Sequence, residues 1–147
     1  MNLAKSTTPS DAMRDARPTT PLFKTRSLAF KVFAVVIAPP IYGMITGAAL
    51  GSSAAAYWIL IAIGVGFAIF SGYEHDEILP AVGRGCLSAA LFTSGLLGIL
   101  RITGSMPHVV LPAPVVFFPT NCIAGAIICA PGAWRRRRAE RQAAVLS

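Results

Sequence analysis

Residues 32–73 read VFAVVIAPPIYGMITGAALGSSAAAYWILIAIGVGFAIFSGY, with no Asp, Glu, Lys or Arg among them. A helix crosses a hydrocarbon core of roughly 30 Å with about 20 apolar residues. The stretch therefore holds two crossings and a very short connection, which is the pattern of a helical hairpin. The first runs near 32–50 and the second near 55–71, with Gly51, Ser52 and Ser53 as the turn and Tyr57 and Trp58 at interfacial depth.

Outward from this stretch the charge pattern repeats. Arg84 and Arg101 bracket the uncharged segment 85–100, which is short for a span unless both arginines snorkel or the helix starts earlier, near Leu79. A third span near 81–100 follows. Pro107, Pro112, Pro114 and Pro119 crowd the entry to the last apolar run, and each disfavours helix at the residue before it. Pro114 suits a first helical position, where its missing N–H costs nothing, so the fourth span reads 114–134. Pro119 then kinks it and frees a carbonyl for a neighbour such as Thr120 or Asn121.

The composition agrees with this count. Only 13% of the 147 residues are charged and 54% are hydrophobic, and the mean hydropathy is +0.63, whereas soluble domains carry about 25% charged residues. The fold class is an all-α integral membrane protein, a four-transmembrane-helix bundle. Of 13 Lys and Arg, six precede the first span (Lys5, Arg14, Arg17, Lys24, Arg26, Lys31) and five follow the last (Arg135, Arg136, Arg137, Arg138, Arg141). Positive flanks stay in the cytoplasm, so both termini read as cytoplasmic, which requires an even number of crossings. The chain divides into a disordered cytoplasmic arm over 1–30, rich in Ser, Thr and Pro, the membrane domain over 31–134, and a basic cytoplasmic tail over 135–147. Ala54, Ala55 and Ala56 have the small-residue character of a signal-peptidase site, but the apolar run before them is longer than a signal core and starts deep in the chain.

Small residues recur every four positions: Gly43, Gly47 and Gly51 in the first span, Gly64, Ala68 and Gly72 in the second, Ala90, Ser94 and Gly98 in the third, Asn121, Gly125 and Cys129 in the fourth. Lipid supplies no hydrophobic force between helices, so close approach along such stripes is what packs them. The Gly43 stripe is expected to make the tightest contact, within one bundle or between copies.

The candidate polar site is the loop Glu74, His75, Asp76, Glu77, followed by Arg84. Its acids and histidine could bind a cation or relay protons, but such a site needs ligands converging from elsewhere. A solvated loop paired with Arg84 or the terminal arginines is the plainer reading. Arg135, Arg136, Arg137 and Arg138 after Trp134 read as a contact with anionic lipid, each contributing about 1 kcal/mol near such a leaflet. The basic balance is thus explained by topology without nucleic acid. Cys86, Cys122 and Cys129 lie in spans with no Cys-x-x-Cys pair. Cys122 and Cys129 could form half of a soft-metal site, but cysteine also packs as a small apolar residue.

No ionisable group falls at mid-span, where Asn121 is the strongest polar group, so neither an enzyme mechanism nor a cofactor is indicated. The function class is a small multi-pass protein of the cell membrane, of bacterial inner-membrane type, acting as a non-enzymatic accessory or interaction subunit, with a membrane-protein partner or its own copies. A holin-like self-associating pore former and a small-solute or metal transporter are the alternatives.

Overall fold

The computed structural model describes residues 21–145, and all its regular structure there is helical. A single 3-10 turn, Phe23–Thr25, precedes four long helices: α1 (Leu28–Ser52), α2 (Ala54–Tyr73), α3 (Ile78–Thr103) and α4 (Pro114–Val145). All four are long and apolar enough to cross a membrane. Residues 1–20 of the expected arm and 146–147 of the expected tail lie outside the described residues.

Each helix outruns the expected span, for reasons visible at its ends. Ser27 caps α1 by accepting from the Phe30 amide at 3.3 Å, so the helix begins four residues before the apolar run is free of charge. Pro39 and Pro40 then deprive two carbonyls of their usual donors. The chain answers with a π-turn over Phe33–Ile37, in which the Ala38 amide reaches back to the Phe33 carbonyl. The expected three-residue turn shrinks to one residue. Ser53 is extended, donates its amide to the Ala49 carbonyl at 2.8 Å, and accepts from the Ala56 amide at 3.4 Å, closing α1 and opening α2 together. Gly104, at φ 64°, ends α3 in the left-handed conformation. α4 begins at Pro114 as expected, runs through Pro119 and Pro131, and continues past Trp134. The expected basic tail is therefore a helical extension as far as Val145.

The four helices do not pack in chain order. α3 lies chiefly against α1 and α4, and α4 chiefly against α3 and α2, whereas α1 and α2 meet less and α2 and α3 hardly at all. The hairpin expected from residues 32–73 is real as a connection but is a minor packing unit. Glycines decide the major contacts. A Cβ at Gly43 would strike the Phe92 carbonyl, and one at Gly47 would lie 2.7 Å from the Leu96 carbonyl and close to the Ile99 side chain. Gly85 and Gly125 face each other across α3 and α4, and Gly72 and Gly132 bring α2 and α4 together. The stripe expected on α3 is incorrect: Gly98 meets open space and Ser94 is exposed. The packed face of α3 is instead Ala81, Gly85, Thr93, Gly95 and Leu96. Spacing alone could not choose between the two, because both have small residues at helical intervals.

At the end of the bundle that carries Ser53, Leu50, Tyr57 and Leu96 form a buried cluster. The proline-rich connection folds onto it through Val109 and Leu111, and the His108 amide donates to the Leu50 carbonyl at 3.0 Å. Hydroxyls inside the helices satisfy themselves locally. Thr46 donates to the Tyr42 carbonyl, Thr93 to Ala89 and Thr120 to Val116, each four residues back. Thr120 thus takes the carbonyl beside the one that Pro119 frees.

Candidate functional site

The opposite end of the bundle holds the charged residues. α2 ends at Tyr73 and α3 starts at Ile78, so Glu74, His75, Asp76 and Glu77 are all that joins them. A connection this short cannot project away from the helix ends. Glu74 and His75 are accordingly buried, at 4% and 8% exposure, in contrast to the solvated loop expected from sequence.

Glu74 is the centre of the cluster. Its carboxylate accepts from Arg84 at 2.8 Å and from Arg26 at 3.3 Å, and its carbonyl accepts the Phe23 amide at 2.8 Å. The Phe23 ring lies against both Arg84, whose guanidinium is 4.0 Å from the ring centroid, and His75, whose ring centre is 5.2 Å away. Lys24 pairs with Asp76, and Lys31 donates to the Lys24 carbonyl at 2.9 Å. The segment preceding α1 is thus clasped to the loop by backbone, charge and ring contacts. The expectation of a disordered arm through residue 30 gives way here from Pro21 onward. Pro21, Leu22 and Phe23 are an apolar group in an otherwise polar stretch, and together with the Ser27 cap they were the signal in the sequence.

The cluster extends onto α4. Arg136, 5% exposed, donates to Glu140 at 3.0 Å and to the Tyr73 carbonyl at 3.2 Å, with its guanidinium 5.9 Å from the Tyr73 ring centroid. It departs from the other members of the expected lipid-contact group: Arg135, Arg137 and Arg138 point outward and Arg136 points into the bundle. The reason is helical phase. Arg136 continues the face of Cys129, Gly132 and Ala133, which is buried against the bundle.

Burial and the nearby Arg84 charge hold the His75 imidazole below its ordinary pKa, against the pull of Glu74 and Asp76. Its Nε2 is buried without a hydrogen-bond partner among the described residues. Asp76 is held below the usual carboxylate range by the Lys24 hydrogen bond, and the same contact raises Lys24.

The structure therefore brings together Glu74, His75, Asp76 and Arg84 of the expected site. Glu77 stands apart, exposed, at the N-terminus of α3. Phe23, Lys24, Arg26, Tyr73 and Glu140 join the cluster without having been expected there, and Arg136, one of the terminal arginines expected to pair with the loop acids, joins it through Glu140 and the Tyr73 carbonyl instead. Among the described residues no three His, Cys, Asp or Glu side chains converge as metal ligands. Cys122 neighbours Cys86 on α3, while Cys129 donates to the Ala68 carbonyl on α2 at 3.3 Å and lies against Gly85 of α3, so the two thiols of the supposed half-site have different partners. The arrangement is an electrostatic clasp, with its charged groups engaged in one another. Comparison of the chain with protein-family models, with curated proteins and with solved structures finds no match.

Proposed function

We propose that this chain is a multi-pass protein of the cell membrane, of bacterial inner-membrane type, with both termini in the cytoplasm. Its role is that of a non-enzymatic accessory or interaction subunit of a membrane complex. The observation that carries this reading is the charged end itself. The segment before α1, the 74–77 loop and the extension of α4 are tied into one body by Arg26, Arg84, Glu74 and Arg136. A bundle that served only to fill the bilayer has no need of such a platform. The major helix interfaces are closed by backbone approach at Gly43, Gly85 and Gly72, which supports a packed scaffold over a conduit.

The test is purification from the native membrane in mild detergent, with the Glu74→Ala variant alongside. A stoichiometric partner that co-purifies with the native chain and is lost from the folded variant supports the reading. Rapid permeabilisation of cells on induced expression would replace it with pore formation. A change in solute or metal sensitivity on replacing Cys122, Cys129 or His75 would replace it with transport.

A further inference from the structure

α4 is two-faced toward its C-terminal end. Cys129, Gly132, Ala133 and Arg136 are buried against the bundle, whereas Trp134, Arg137, Arg138 and Arg141 are exposed. The exposed four lie at i, i+3, i+4 and i+7, which aligns them as one stripe. The stripe does not lie on a flat surface. Together with Ile78 at the start of α3 it lines a groove of ≈ 410 Å³.

Three properties of this groove point to one class of ligand. First, its cations are unspent: no ion pair engages Arg137, Arg138 or Arg141 among the described residues, while the acids beside them are occupied, Asp76 by Lys24 and Glu140 by Arg136. Second, the three arginines lie within about one turn of α4, so their charges act on one spot, which the exposed Glu77 carboxylate at the start of α3 offsets only in part. Third, one wall is apolar. Trp134 lies under the Arg138 guanidinium at 5.5 Å, Ile78 faces the groove, and the adjoining Leu79 is 80% exposed. A free phosphate would use the first two properties and gain nothing from the third.

We propose that the groove is a site for one anionic phospholipid. Its phosphodiester is held by Arg137, Arg138 and Arg141, and its acyl chains run along Trp134, Ile78 and Leu79. This deepens the reading of the basic end as a lipid contact and rests on that end lying at the headgroup layer. It replaces a diffuse attraction of four arginines with a defined site of three, from which Arg136 is absent because it is buried and Arg135 because it lies off the stripe.

Trp134 is itself the reporter. The other tryptophan, Trp58, lies at the opposite end of the bundle, and Trp58→Phe leaves one emitter. This protein, reconstituted in nanodiscs, is titrated with acyl-brominated phosphatidylglycerol or acyl-brominated phosphatidylcholine. The expected result is steeper quenching by the anionic lipid, and a loss of that preference by about fivefold for each of Arg137→Gln, Arg138→Gln and Arg141→Gln, as about 1 kcal/mol per basic residue implies. Arg135→Gln, which removes the same charge off the stripe, should leave the preference intact. Equal quenching by the two lipids, or an equal loss in Arg135→Gln, would overturn the site. A preference abolished by sodium phosphate but not by sodium chloride at matched ionic strength would assign the groove to a soluble phosphate and overturn the lipid. Both leaflets carry the same lipid here, so the result does not depend on orientation in the cell, and an error in topology is detected separately.

Discussion

Glu74 shows how a single residue can serve two segments that the sequence places far apart. With its side chain only 5% exposed, it balances Arg84 and Arg26 at once. Removing one member of a buried pair strands the others, at a cost of about 3–5 kcal/mol. Glu74→Ala is expected to lower thermal stability in detergent by that order, whereas Glu77→Ala, at an exposed position of the same loop, should change it by less than about 0.5 kcal/mol. Equal effects would mean that the clasp contributes little. His75 makes a prediction about pH. Its folded-state pKa is depressed, so its contribution is complete above the ordinary value of about 6.5 and declines as pH falls through the folded one. The Asp76 contribution, also from a depressed pKa, is lost only below about pH 4. Acidification from pH 7 to 5 should therefore loosen the clasp through His75. Protection of the Phe23 amide against hydrogen exchange, corrected for the intrinsic rate, should fall over that range and hold steady in His75→Gln. Constant protection in the native chain would remove His75 from the clasp. Four of the five loop and arginine positions were legible because charged residues are rare in this chain. Arg26 was not, because its partner Glu74 lies 48 positions away and a single charge in a polar arm has no periodicity to reveal it.

Among the elements, α1 was read from its sequence with the right face. Gly43 and Gly47 pack backbone to backbone on α3, and Gly51 meets Ser105 just beyond it. Gly47→Leu must push Leu96 and Ile99 aside, and overpacking of this kind costs about 1–3 kcal/mol. Ala48→Leu places the same side chain on an exposed face and serves as the control. Differential scanning fluorimetry in detergent should separate the two, and matching melting curves would place the glycine face against lipid. The α3 stripe was misread for a physical reason. Gly98 and Gly85 have the same composition, and only the position of the neighbouring backbone distinguishes an interface glycine from one in open space. The ends of α1, α2 and α3 were short by one to four residues, since hydropathy marks the apolar run while capping by Ser27, Ser53 and Gly104 marks the helix.

For the whole molecule, the count of four helices long and apolar enough to cross a membrane was legible from the alternation of charged and uncharged segments, while their arrangement was not. Orientation is the prediction that belongs at this scale. A reporter active only outside the cytoplasm should be active when fused after Ser53 or near Ser105 and silent after Glu77 or Ser147. Activity at Ser147 would overturn four crossings with both termini in the cytoplasm. The packing order carries a consequence for biogenesis. α1 leaves the ribosome first, yet its glycine face is completed by α3, and α2 likewise waits for α4. The first two helices can therefore meet each other through Tyr42 and the Leu60 carbonyl, but their small-residue faces stay unfilled until the second half of the chain is made. Completion is then coupled to the last helix, because the same α4 that fills the Gly72 contact also delivers Arg136 to Tyr73. A nascent chain that stalls before Pro114 is left with both an unfilled groove and an unfinished charged end.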